Sequence, residues 1–482
     1  MRIAFLSLFC ISICFSDYCY SREDLTKQER EKVLQAVLPT NNFNKPERSE
    51  SLTGGAGTIS RFGPNAFSNH LTNLSFEDRQ NFLIGNGLFR KLWVSSPSST
   101  NASDGLGPLY NARACQSCHI KDGRGHLPIT EKPLSLVIKT GVYEGLKLIP
   151  NKNYGKQFQF FAVPGMLSEL TASVQKKDSY INLDNKYRKK LTAVNLQIAK
   201  LNYGKLDKQN SISMRISPQV IGMGLLEAIE DSDILKNEDN EDANSDGISG
   251  KVRWVKDEKG FNRIGRFGIR ASTHSLIQQT GVAFMHDMGI SNPVGVNAYG
   301  DCTKNQSDCF YLPTGINNGD SNETNQEVLE KIAFYLASLS PPKRRNVDDK
   351  KVLRGKEIFY KSNCISCHTP KFVTSKNAKF DFLKYQLIWP YTDLLLHDMG
   401  EELADKDLEG NVTNREWRTP PLWGVGLAKT VNDRATFLHD GRAESIEEAI
   451  LWHSGEARNS LEHFLKNYKK EMANLVAFIN SL

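Results

Sequence analysis

The chain of 482 residues is 39% hydrophobic and 24% charged, the composition of a folded protein rather than a disordered one. Its formal charge of +6 is modest and dispersed, which gives no ground for a nucleic-acid partner and only a slight bias toward acidic redox partners. The length suits two or three domains.

Residues 1–21 read as a signal peptide. Arg2 supplies the positive end, residues 3–15 form an apolar run too short to span a bilayer, and Ser16 and Ser21 offer cleavage points. Cys10, Cys14 and Cys19 each follow a bulky residue, so plain secretion to the periplasm is expected rather than a lipid anchor. No other long apolar run exists in the sequence, so no transmembrane segment is expected in the mature chain. Residues 22–75 read as an N-terminal extension: a charged, peripheral helix over 23–38, then an irregular connector over 41–63. Residues 76–93 form a stronger helix, with Phe82, Leu83, Leu88 and Leu92 as its apolar positions.

That helix leads into Cys115-Gln-Ser-Cys118-His119, the C-x-x-C-H signature of covalent haem attachment. Two thiols three residues apart can each add to a haem vinyl group, and the following histidine is held under the iron. A second copy, Cys364-Ile-Ser-Cys367-His368, lies far downstream. A zinc knuckle would need further Cys or His at close spacing, which neither copy has. Two covalently bound haem c groups are therefore expected. Thioether attachment is completed outside the bacterial cytoplasm, in keeping with export.

Between about 134 and 212, short apolar or alternating runs predict strands inserted into a helical protein. From Arg215 a Gly-rich turn enters an apolar helix. Asp242, Asn244 and Asp246, followed by Gly247, resemble the first half of a calcium-binding EF-hand loop. Arg253 stands where the bidentate Glu belongs, so calcium is one reading and a solvated Asx-rich turn the other. Cys302 and Cys309, left after the signal and haem cysteines, are expected to form a disulfide in an oxidising compartment.

Ile332-Ala-Phe-Tyr-Leu-Ala-Ser-Leu339 is echoed by Leu475-Val-Ala-Phe-Ile-Asn-Ser-Leu482. Each is the tail of an amphipathic helix downstream of a haem motif, and Pro341-Pro342 stops the first. The expected fold is mainly α. Two cytochrome-c-like haem domains span 76–342 and 343–482, and the first carries the strand-rich insertion.

Several stretches then converge: Gly105-Leu-Gly-Pro-Leu-Tyr before the first motif, Gly222-Met-Gly-Leu-Leu-Glu, Gly265-Arg-Phe-Gly, Thr419-Pro-Pro-Leu-Trp-Gly-Val-Gly-Leu and Phe437-Leu-His-Asp-Gly-Arg-Ala. With them the chain resembles the di-haem oxidoreductase family, related to bacterial di-haem cytochrome c peroxidases and to the enzyme that matures methylamine dehydrogenase. The resemblance implies one haem with an open iron face for peroxide and another that is six-coordinate and stores an electron. It places the sixth ligand of the second haem at His453, where relatives have Met or Tyr; His439 is expected to brace its turn. It places the peroxide pocket on residues 276–289, with Gln278 or Gln279 as hydrogen-bond donor and Asp287 in place of an acid/base Glu. Relatives often set a Trp between the haems; here Ile269 stands there, with Phe267 the aromatic left in that segment. His126 is expected at the surface, while His397 and Met399 are further candidate axial neighbours.

The resulting expectation is a periplasmic enzyme reducing hydrogen peroxide with electrons from a small cytochrome or cupredoxin. Two alternatives stay open: high-valent haem oxidising a partner protein's side chains, or an electron carrier with both irons capped.

Overall fold

The computed structural model describes residues 22–128, 134–144, 147–183, 188–317, 319–405, 413–466 and 468–482. The expected signal peptide lies outside them. Helix α1 (Lys27–Val37) opens with a capping box, the Thr26 hydroxyl accepting from the Glu29 amide while the Glu29 carboxylate accepts from the Thr26 amide. It buries only Val33, as its charged composition implies. Helix α2 (Phe76–Arg90) begins at Ser75, whose hydroxyl accepts the Asp78 amide; Glu77 and Asp78 suit the positive end of the helix. A short strand β1 (Leu109–Tyr110) and the single-turn helix α3 (Cys115–Cys118) carry the first haem motif.

The insertion holds β2 (Leu136–Glu144), β3 (Lys147–Ile149), β4 (Gln157–Phe158), β5 (Phe161–Ala162), β6 (Leu170–Asn182), β7 (Arg188–Leu201) and β8 (Asn210–Ile216). Ile138 of β2 pairs with both Met214 and Phe158, so β8 lies on one edge of β2 and β3 and β4 along the other, all antiparallel. Their alternating apolar residues, Leu136, Ile138, Phe158 and Ile216 among them, bury a satellite core. Strand β5 pairs with β1 and ties the insertion to the first motif. Strands β6 and β7 form a long ribbon whose Leu191 is buried in the core of the C-terminal half.

Helices α4 (Met223–Glu227) and α5 (Asp231–Leu235), the hairpin of β9 (Trp254–Lys256) and β10 (Asn262–Ile264), α6 (Leu276–Met288) and α7 (Gln326–Ser338) complete the N-terminal half. The C-terminal half holds α8 (Lys350–Lys361), the pair β11 (Phe372–Val373) and β12 (Leu387–Ile388), the pair β13 (Leu396–Asp398) and β14 (Glu416–Arg418), and helices α9 (Ala428–Val431), α10 (Ile446–Leu451), α11 (Arg458–Leu465) and α12 (Tyr468–Ser481).

The two halves repeat one arrangement. Helix α2 crosses α7 at Gly85, where an added Cβ would collide with the Lys331 carbonyl and Tyr335; α8 crosses α12 at Gly355, against the Asn474 carbonyl and Phe478. One turn later Phe89 meets Tyr335 and Phe359 meets Phe478, both at 5.2 Å between ring centroids. The amides of Gly222 and Gly424, both left-handed at φ 68° and 74°, donate to the carbonyls of Leu339 and Leu482 that end α7 and α12.

The mainly α expectation is overturned. Helices make up 31% of the chain and strands 18%, in many small sheets. The insertion supplies the larger sheet and the ribbon, and long connections between helices are pinned by two- and three-residue strand pairs rather than by further helices. The disulfide Cys302–Cys309 is present. Among the described residues no helix is long and apolar enough to cross a membrane.

Candidate functional site

Both motif histidines are held by one device. His119 Nδ1 lies 2.7 Å from the Pro218 carbonyl, and His368 Nδ1 lies 3.0 Å from the Tyr391 carbonyl. A carbonyl only accepts, so each Nδ1 carries the proton and each Nε2 keeps its lone pair. Burial lowers both imidazoles, His368 to about 4 with His453 also lowering it, so each ring is neutral and able to donate that lone pair. A phenylalanine from the preceding long helix flanks each ring, Phe89 at 6.3 Å and Phe359 at 6.0 Å.

The four motif cysteines are unpaired and half-buried. Burial pushes the thiols of Cys115, Cys118 and Cys364 up to about 12, which keeps them protonated rather than ionised. Two protonated thiols beside a neutral imidazole with a free Nε2 is the donor set that a thioether-linked haem requires. It is present twice.

His453 follows α10. Its Nδ1 lies 2.8 Å from the Ala449 carbonyl, so its Nε2 is free too, and it is near enough for its charge to act on His368. Around the first motif the facing element is α6. Gln279, Ala283 and Asp287 are half-buried and spaced four apart along one row of that helix. Asp287 is close enough that its charge acts on Cys115, Cys118 and His119.

Each half also contributes a hairpin of one length, Phe267 bridging Thr273 and Phe437 bridging Ala443, and each is followed by a serine that caps a helix. The interval from Ser445 to His453 equals that from Ser275 to Ala283. At this matched position the second site has an imidazole and the first has a methyl group.

The hairpins are exchanged between halves. The Ile269 carbonyl accepts the amide of Arg418 on β14, whereas the His439 carbonyl accepts the amide of Ile216 on β8, two residues before the Pro218 that holds His119. The His439 ring stacks on Trp417 at 3.7 Å with 16° between planes. Arg270 lies over the same indole at 3.9 Å. Trp417 pairs across the β13–β14 ladder with His397, whose Nδ1 is 3.5 Å from Cys367 Sγ. A stacked aromatic pair, Trp417 buried and His439 half-buried, thus links the second hairpin to the strand pair beside Cys367, whereas Ile269 offers no aromatic ring. Sequence reading misses Trp417, which stands two residues before the Thr419-Pro-Pro stretch; only the fold brings it to His439.

The remaining candidates separate. Gln278 turns away, its amide donating to the Lys256 carbonyl and its oxygen accepting from the His274 amide. Gln279 Oε1 accepts from the Thr273 hydroxyl at 2.8 Å, which leaves its amide nitrogen to offer. His397 is clamped between Asp393 and Glu456 at 2.7 and 2.8 Å, both nitrogens engaged, so it offers no lone pair; Met399 packs in the second core. His126 is half-buried, with Nδ1 at 2.8 Å from the Leu127 carbonyl. In the acidic loop, Asp242, Asn244 and Asp246 accept amides of the loop itself, from Gly247, Asp246 and Ile248. Among the described residues no cluster of three or more His, Cys, Asp or Glu is placed to hold a metal ion.

Residues 49–156 and 169–482 match the family described as "Di-haem oxidoreductase, putative peroxidase". No curated protein matches. Among solved structures, hydrazine synthase of Kuenenia stuttgartiensis pressurised with xenon is similar at 16% identity, over 55% of this chain and 89% of that one. Its TM-score of 0.20 is too low to carry any argument. The family match spans both motifs, both hairpins and both terminal helices of the repeat, and the chain belongs to the di-haem oxidoreductase family.

Proposed function

We propose that the protein is a periplasmic di-haem c enzyme that reduces hydrogen peroxide with electrons from a small cytochrome or cupredoxin. The observation that carries this reading is the difference at one matched position, Ala283 in the first half and His453 in the second. Cys115, Cys118 and His119 would hold one haem, and the position matched to His453 is Ala283, whose methyl group has no ligating atom. Cys364, Cys367, His368 and His453 would hold the other, His368 and His453 each offering a free imidazole nitrogen, a donor pair that would lower its potential. The haem supplies redox-active iron at each site.

One peroxide takes two electrons and two protons to give two waters, and a one-electron donor must act twice. The Asp287 carboxylate takes a proton from the near peroxide oxygen and returns it to the far one, while the Gln279 amide nitrogen donates to the developing charge. The Cys302–Cys309 disulfide supports an oxidising compartment, as do the signal-like residues 1–21.

Low-temperature EPR of the purified diferric protein, repeated after half-reduction and with peroxide, tests the reading. The expected result is one high-spin and one low-spin ferric signal, with peroxide altering the high-spin one. Two low-spin signals, unchanged by half-reduction or peroxide, would overturn it in favour of an electron carrier.

A further inference from the structure

We propose that Gln157, contributed by the inserted sheet, is the positioning residue for the Asp287 carboxylate. Its kinetic consequence rests on the peroxide-reducing reading above. Asp287 lies in the last turn of α6, where the helix dipole disfavours a carboxylate and the final carbonyls have no partners within the helix. A carboxylate there needs an outside donor to hold it in one orientation.

Gln157 is that donor. Its Nε2 lies 2.8 Å from Asp287 Oδ1 and 2.9 Å from the His286 carbonyl, so one amide group grips both the side chain and the backbone of this turn. Among the described residues it is the only side chain hydrogen-bonded to the Asp287 carboxylate. Gln157 is fully buried, and its own Oε1 has no partner. A buried acceptor left unmade is costly, so this residue is unfavourable except for what its donor does. Oδ2 of Asp287 is left for the site that contains Cys115, Cys118 and His119.

Surrounding contacts fix the same turn without touching the carboxylate. Gln159 Nε2 donates to the His286 carbonyl at 2.8 Å, and the Gln159 amide donates to buried Glu169 at 2.6 Å. Glu169 in turn accepts from Gln306, inside the loop closed by the Cys302–Cys309 disulfide. His286 is paired with Asp301 at 2.9 Å, and the amides of Asn111 and Ala112 donate to the Asp287 carbonyl. These contacts hold the backbone of the turn, and Gln157 holds the carboxylate whose charge acts on the first motif.

The test compares Gln157→Leu, Gln157→Glu, Gln159→Leu and Asp287→Asn as haem-loaded proteins. Infrared difference spectra identify the Asp287 carboxylate band by its loss in Asp287→Asn. The proposal expects Gln157→Leu to shift that band and to lower kcat for peroxide about 10- to 100-fold with KM changed by less than about twofold. Gln157→Glu should recover activity as pH falls, because only its protonated form can donate. Gln159→Leu, which loses a bond to the same turn, should leave the band in place and serves as the control for general loosening.

An unshifted band in Gln157→Leu, with Asp287→Asn inactive, would overturn the positioning role while leaving the reaction assigned to Asp287 intact. Full activity in Asp287→Asn would overturn that reaction instead, and a shifted band in Gln157→Leu would still establish the hydrogen bond. Should Gln157→Leu fail to fold, the pH profile of Gln157→Glu decides alone: a profile parallel to wild type would overturn the proposal.

Discussion

The two halves share a scaffold and differ in what faces the motif histidine. In both, a glycine lets two helices touch, a phenylalanine flanks an imidazole, and a backbone carbonyl fixes its tautomer. Beyond the matched hairpins the second half ends α10 early, before His453, whereas the first half continues α6 through the row Gln279, Ala283 and Asp287. On the proposed reading the scaffold does not decide the chemistry of either site; one residue and the length of one helix do.

The most drastic way to test the pairing is to empty one half. Cys115→Ala with Cys118→Ala should halve the pyridine haemochrome signal per protein, and Cys364→Ala with Cys367→Ala should halve it equally. Unchanged haem in either double variant would refute the assignment of that motif.

Exchanging the distinguishing residues comes next. Ala283→His should convert the high-spin EPR signal to low-spin and abolish the response to peroxide. His453→Ala should do the reverse to the second signal. If Ala283→His leaves the high-spin signal untouched, the two positions are not equivalent in space, and the comparison between halves fails at its central point.

The scaffold itself can be broken at the shared glycines. Gly85→Ala and Gly355→Ala each put a Cβ against a carbonyl of the crossing helix, and overpacking of this kind costs about 1–3 kcal/mol. Denaturant midpoints should fall in both variants. Gly87→Ala, on the same helix with nothing within 4 Å of an added Cβ, should not lower them. Equal effects at Gly85 and Gly87 would mean that helix flexibility, not the crossing, is responsible.

How much of the molecule is legible in its sequence follows the range of each interaction. The motifs, the disulfide and the echoed tails of α7 and α12 are written in short spacings, and those segments are visible in the sequence. The inserted strands are also visible, since β2 and β8 alternate along their length. The fold class is misjudged because helix-bearing stretches announce themselves by periodicity, whereas two-residue pairs such as β11 with β12 have no period to detect. Gln157 and the exchanged hairpins depend on contacts across well over a hundred residues, such as Gln157 with Asp287, and Trp417 meets His397 and His439 across about twenty; no local pattern encodes any of them. Ala283 is hidden for another reason. An alanine in a helix carries no signal until the hairpins have been superimposed and His453 is found at the same interval.

The smallest effect concerns a residue that belongs to the second half alone. Burial by itself would lower the His397 imidazole, but the Asp393 carboxylate and Cys367 raise it well above its ordinary value, and Glu456 adds a contact at 2.8 Å. Asp393, at 2.7 Å, is the larger of the two raising influences and persists when Cys367 is in a thioether. The folded state thus holds this proton more tightly than the unfolded chain, where a histidine titrates near 6.5. Stabilisation from the pair is complete below about pH 6.5 and is lost as pH rises through the elevated folded-state value. The melting temperature of wild type should exceed that of His397→Gln most at pH 6, and the gap should narrow steadily into the alkaline range. A gap independent of pH would mean that His397 is neutral between its two carboxylates. The brace beside Cys367 would then be an ordinary hydrogen bond, and the second site would be no more sensitive to alkaline pH than the first.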